Sequence, residues 1–369
     1  MKTLSKYDKL FEKLTLANGV TVQNRLMLAP MCDDSSDDGK VNDSGIQLRG
    51  QLSAAHDSDV PGLTKLAKVM KDGGAKAILQ LSHAGRDSTG SVQNGTRVYA
   101  PTKMAFSWIN YSLDEMTEDD IEQVIEDYKQ ATKRAIQAGF DGVEIHNCNH
   151  DLLQQFFSKF SNHRTDKWGG SLEKRMNFPL AVRQAVQDAI DESGKKDFIL
   201  GWRISPVEQH GDNYGYSVDE MVAQTKKVID GGISYLNISM NLSAGYDNMQ
   251  RPSFDTPVAG TDQTFAKYFH DALGDGMPIF IGSNVLTADD ALAAVEDADG
   301  VYVGREMLMD PDFVAKIKKG QEDQIVNTTT IERLKEVGLP DGFVDNYADT
   351  DGSTRSVSYR NGIPLPGLD

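Results

Sequence analysis

The run His146-Asn147-Cys148-Asn149-His150-Asp151 gathers side chains that do chemistry. His146 and Asn149 stand three apart where a strand turns into a loop. Two N–H donors placed there can grip one carbonyl oxygen or anion and stabilise the charge that develops on it. The plainer alternative is two satisfied loop side chains. His146, Cys148 and His150 alternate and are residue types that bind zinc. The strand should end near His146, so the alternation fails beyond it, and a metal-dependent hydrolase is the weaker rival. Arg203, in the otherwise apolar run GWRIS, is a buried cation that needs an anionic partner, either a structural carboxylate or an electron-rich cofactor. Gly282-Ser283-Asn284 and Gly304-Arg305 could hold a phosphate on backbone N–H groups, or be ordinary turns with a surface Arg. Pro30-Met31-Cys32 and Gln80 with His83 complete the set.

One scaffold has to bring these positions together. A polar-faced helix ending at Gly or Asp-Gly is followed at once by a β-rich run in KDGGAKAILQLS (Lys71–Ser82), QAGFDGVEIH (Gln137–His146), IDGGISYLNIS (Ile229–Ser239) and VEDADGVYVG (Val295–Gly304). Gly caps the helix in the left-handed conformation, and the apolar run after it suits a strand buried on both faces. DFILGWRIS (Asp197–Ser205), MPIFIGS (Met277–Ser283) and RLMLAPM (Arg25–Met31) add three strands. Between strands, Thr117–Ala138 places Ile121, Val124, Ile125, Tyr128 and Ala131 on one helical face, with Thr117 as N-cap and Asp120 completing a capping box. Pro61–Lys71 behaves alike. Strands alternating with helices indicate a parallel sheet, here a TIM-type (β/α)8 barrel whose functional groups lie at the C-terminal strand ends. LTLANGVTVQNR reads as an N-terminal β-hairpin turning at Asn18-Gly19, about residues 11–24, placed to plug one barrel end. The tail after Gly320, about 321–369, is rich in Gly, Pro, Asp and Ser and reads as irregular. With no internal linker, residues 1–369 form one domain. Such a barrel has eight strands; seven candidates are found, and the stretch between Met31 and Pro61 offers neither a helix nor a buried strand.

The 369 residues are 39% hydrophobic and 25% charged, with 38 basic against 55 acidic residues and a net charge of −17. That field repels phosphate backbones and anionic lipid, so nucleic acid and membrane surfaces are excluded as partners. Any bound phosphate needs a dedicated site. The N-terminal sequence has no secretory core, and no apolar run approaches the roughly 20 residues of a membrane span. Two cysteines, Cys32 and Cys148, cannot build a disulfide framework or an iron–sulfur site. A cytoplasmic location with reduced thiols follows.

Several strings together resemble the Old Yellow Enzyme family of FMN-dependent ene-reductases: NRLMLAPMC (Asn24–Cys32), QLSHAGR (Gln80–Arg86), AGFDGVEIH (Ala138–His146), LLQQFFSKFSNHRTDKWGGSLEKRMNF (Leu152–Phe178), WRISP (Trp202–Pro206) and VGREMLMDPDF (Val303–Phe313). The resemblance runs from about Phe11 to about Lys319. It implies that Pro30, Met31 and Cys32 line the flavin ring. Gln80 would bond the pyrimidine edge, and Arg203 would face N1/O2. Gly282, Ser283, Gly304 and Arg305 would hold the FMN phosphate, while His146 and Asn149 polarise an enone carbonyl. The implied activity is FMN-dependent NAD(P)H oxidation, with NADH or NADPH as reductant and hydride passed through flavin N5 to activated alkenes or quinone-like acceptors. The implied partner is a small electrophilic molecule, with a homo-oligomer left open.

Two departures stand out. Where the family reads Gly-Tyr-Leu after the donor pair, this chain reads His150-Asp151-Leu152. An ionised Asp151 donates no proton unless burial raises its pKa, which makes ene reduction slow or dependent on a solvent proton, with His150 as substitute acid. Second, a βα unit, about 30 residues, is missing after the first strand and replaced by an acidic stretch with Asp33, Asp34, Asp37 and Asp38. Weakened FMN binding follows, and at the extreme a degenerate, non-catalytic barrel.

Overall fold

The computed structural model describes residues 5–31, 42, 44–47, 51–243, 252–340 and 344. The Asn-Gly turn forms as expected: β1 (Leu14–Thr15) pairs antiparallel with β2 (Thr21–Val22), and Gly19 takes φ +85°, which glycine adopts without a Cβ penalty. Next come β3 (Leu26–Leu28), α1 (Val60–Lys71), β4 (Ile78–Leu81), α2 (Thr89–Gln93), β5 (Tyr99–Ala100) and β6 (Asp114–Glu115). The capping box of Thr117 and Asp120 starts α3 (Glu118–Ala138), and Gly139 ends it in the left-handed conformation. β7 (Gly142–Asn147), α4 (Leu152–Phe157), α5 (Leu172–Ser193), β8 (Ile199–Ile204), β9 (Glu208–His210), β10 (Asn213–Tyr216), α6 (Val218–Asp230) and β11 (Tyr235–Ser239) follow. α7 (Phe265–Leu273), β12 (Ile279–Gly282), α8 (Ala288–Asp297), β13 (Gly300–Val303), α9 (Arg305–Met309), α10 (Phe313–Lys319) and α11 (Ile331–Glu336) complete the order.

Seven strands form one parallel sheet in the order β3-β13-β12-β11-β8-β7-β4, curled as in a TIM-type barrel with the helices outside. Every residue of β7, β8, β11, β12 and β13 is buried, as the two-sided apolar runs require. The hairpin closes the N-terminal end. Its Leu14 and Leu16 pack on Ile199, Tyr235 and Phe280, and the Ala17 N–H donates to the Ser234 carbonyl at 2.9 Å. Glycine is needed where the strands crowd. A Cβ on Gly201 would enter the Tyr235 ring, and one on Gly300 the Phe280 ring.

β3 and β4 are the two ends of the sheet, and no pairing joins them among the described residues. Near them Leu28 is 55% exposed, and Val69 and Met70 on α1 are exposed too. The acidic stretch expected to replace the missing unit, Asp33 to Asp38, lies outside the described residues, as does Cys32.

Three features differ from the sequence reading. The tail after Gly320 is not wholly irregular: Thr330 caps α11 by accepting the Arg333 N–H, and Leu334 is buried against Leu308 and Met309. The pairs β5–β6 and β9–β10 were not expected. They are two- to four-residue strands in the loops above the barrel, too short for a periodicity to show.

Candidate active site

A cavity of about 1280 Å³ is lined by the C-terminal strand ends and runs along the open side of the sheet. Pro30, Met31, Gln80, His146, Asn149, Arg203, Ser283, Gly304 and Arg305 all line it. Gly282 does not. It ends β12, and its missing Cβ lets the backbone carbonyl of Tyr302 approach, which is a packing reason for glycine there.

The donor pair is built on strain. Asn149 and His150 have φ of +54° and +68°, a conformation non-glycine residues seldom hold. The Asn149 N–H is fixed by donation to Ser205 Oγ at 3.0 Å. Ser239, at the end of β11, donates its hydroxyl to Asn149 Oδ1 at 2.8 Å. That bond leaves Asn149 Nδ2 as the donor, 3.4 Å from His146 Nε2. Burial first, then the nearby Arg203 charge, pushes the His146 pKa well down, so the imidazole is neutral at pH 7. Sequence reading missed Ser239; its only signal was its place as the last residue of an apolar strand.

Asp151 lines the same cavity, 4% exposed, with Oδ2 3.3 Å from His146 Nε2. Burial, then Asp87, pushes its carboxyl well above the ordinary aspartate range. Burial thus supplies the condition under which Asp151 could hold a proton to donate. His150 turns elsewhere. Its Nδ1 faces Gln154 Nε2 at 3.1 Å, and Gln154 Nε2 also donates to Glu208 Oε2 at 2.7 Å. The three alternating residues thus do not converge: Cys148 Sγ lies 3.5 Å from His146 Nδ1, while His150 joins a separate network.

Arg203 decides between the two readings of a buried cation. No carboxylate of a described residue lies within ion-pair distance of it. Its guanidinium sits over the Tyr302 ring, 5.0 Å from the centroid; one Nη reaches the Pro30 carbonyl at 3.4 Å, and Nε is buried without a partner. Burial works against its charge, but Cys148, Tyr302 and Glu144 more than offset this and hold it above its ordinary pKa. A fixed cation with an unused donor, facing a cavity, fits an electron-rich ring that gains negative charge. Across the cavity, Ser283 (φ +129°) and Asn284 (φ +54°) form a strained turn, and Arg305 donates to Asn284 Oδ1 at 2.6 Å.

Among the described residues, no helix is long and apolar enough to cross a membrane, and no group of three His, Cys, Asp or Glu could hold a metal ion.

Known proteins are similar to this chain in sequence and fold. The chain is 33% identical to a probable NADH-dependent flavin oxidoreductase, YqiG, of Bacillus subtilis (strain 168), over 94% of this chain and 98% of that one. It is 32% identical to an NADH:acrylate oxidoreductase of Vibrio harveyi over 84% of this chain, which spans 33% of that longer protein. An Old Yellow Enzyme homologue from Zymomonas mobilis superposes with a TM-score of 0.73 at 20% identity, covering 91% of this chain and 99% of that one. The NADH:flavin oxidoreductase / NADH oxidase family model matches residues 40–324, and the chain therefore belongs to that family, as an FMN-dependent NAD(P)H oxidoreductase.

Proposed function

We propose that the protein reduces small activated alkenes, or quinone-like acceptors, with electrons drawn from NADH or NADPH. One observation carries the reading: Arg203, a buried cation with Nε unpartnered, lines the cavity that also holds the His146–Asn149 donor pair. FMN, when bound, would supply hydride-transfer chemistry between the nicotinamide and the substrate. Gln80 and Arg203 would face its ring with Pro30 and Met31; Cys32, assigned to the ring by the family resemblance, lies outside the described residues. Ser283, Gly304 and Arg305 would hold its phosphate, with Gly282 behind them shaping the turn.

This chain's side chains then have distinct tasks. Neutral His146 and the Asn149 amide donate to the substrate carbonyl oxygen, where negative charge grows as hydride adds to the β-carbon. Asp151, the acid nearest that pair, gives its proton to the α-carbon and recovers one from solvent. An unsaturated carbonyl compound as substrate class is supported by the relative named for acrylate, an unsaturated acid.

Purified protein, saturated with FMN, should bleach on anaerobic addition of NADH or NADPH and regain its colour when an enone is added. A protein that stays colourless with excess FMN, or bleaches and is not reoxidised by enone or quinone, overturns the reading.

A further inference from the structure

The cavity lining includes a carboxylate with no assigned task. Glu144 points into the barrel from β7, opposite Gln80 in the register of β4 and β7, and is 2% exposed. Its Oε1 accepts from Gln80 Nε2 at 2.6 Å, and its Oε2 accepts from Asn237 Nδ2 at 3.0 Å. Both Glu144 oxygens accept here, whereas a side-chain amide has one accepting and one donating end. Glu144 therefore forbids one of the two orientations of Gln80. The –NH2 must face Glu144, and Oε1 then faces the cavity that Gln80 lines, where it takes no hydrogen bond from a described residue.

We propose that Glu144 is a positioning residue for cofactor recognition: it locks the Gln80 amide so that position 80 presents an acceptor, selecting the N3–H edge of the flavin pyrimidine. The inference rests on the family's flavin and not on the substrate proposed above. A neutral residue at 144 would let the amide turn over and present –NH2 to N3–H, donor against donor.

The test compares the binding of FMN and of N3-methyl-FMN to apo-protein, by fluorescence quenching. Wild type should bind the methylated flavin at least roughly tenfold more weakly, the cost of an unmet buried hydrogen bond. Glu144→Gln should bring that ratio toward one. A Glu144 that merely supports the fold would weaken both flavins together and leave the ratio unchanged. A wild-type ratio near one, or a full ratio retained in Glu144→Gln, overturns the proposal. If Glu144→Gln does not fold, side-chain amide exchange in 15N-labelled wild-type apo-protein decides. The Gln80 Nε2 protons, assigned by their loss in Gln80→Met, should exchange at least about tenfold more slowly than in free glutamine; unprotected exchange overturns the lock. A protein that binds neither flavin counts against the cofactor at this site, and the exchange measurement still settles the amide.

Discussion

Asp151 occupies the N-cap position of α4 with extended backbone angles, yet its side chain makes no capping bond and turns toward His146 instead. Forgoing a cap costs of order 1 kcal/mol, which suits a carboxyl held for another use. Because its pKa is raised, Asp151 keeps its proton to a higher pH than an ordinary aspartate and loses it as pH climbs through the raised value. Enone turnover should therefore fall on that alkaline limb. In Asp151→Asn the limb should vanish and turnover at neutral pH drop, measured as a kcat–pH profile under NADH saturation. An unaltered profile would assign the proton to solvent. Ser239 makes a second case at this scale. Ser239→Ala frees the Asn149 amide to rotate, and kcat/KM for an enone should fall roughly tenfold, the worth of one buried hydrogen bond. KM for NADH should move much less.

Among the elements, α9 carries an unusual burden. Glu306, in its first turn, is fully buried with neither carboxylate oxygen partnered. Burial first, then Asp310, pushes its pKa up to about 8. The unfolded chain ionises near 4.5, so between those values the folded state holds the extra proton. Stability is thus lost as pH rises from about 4.5 to about 8 and is level above that. Glu306→Gln, neutral at every pH, should raise Tm by a few degrees at pH 8.5 and hardly at all at pH 5, read by calorimetry. An equal gain at both pH values would mean that packing, not ionisation, is relieved.

For the molecule as a whole, the unjoined ends β3 and β4 set the balance between scaffold and cofactor. β3 leads into Pro30 and Met31, and β4 carries Gln80, so both sheet ends deliver cavity residues. An edge strand held on one side opens more readily than one held on both. FMN affinity should accordingly be weak, while bound FMN should steady both ends. Titrating FMN into apo-protein should raise Tm continuously, by an amount equivalent to about 2.7 kcal/mol at a hundredfold excess over Kd. Protein that purifies with stoichiometric flavin and does not release it on dilution would refute the weak-binding expectation.

How much of this was legible beforehand depends on the range of the forces involved. The α3 capping box, the Asn18-Gly19 turn, the seven apolar runs and the alternation of strand and helix are local patterns written in neighbouring residues, and they determined the barrel and the ring of His146, Asn149, Gln80, Arg203 and Arg305 at its rim. Short strands such as β5 and β9 carry no period, and α11 draws on the distant Leu308 and Met309, so neither was readable. Only the tertiary structure decided the electrical state of the site. Whether Asp151 is ionised, whether Arg203 has a carboxylate partner, and which way Gln80 and Asn149 turn their amides all depend on desolvation and on groups such as Asp87, Ser239 and Glu144. Those groups are remote from them along the chain and adjacent only once the sheet has curled.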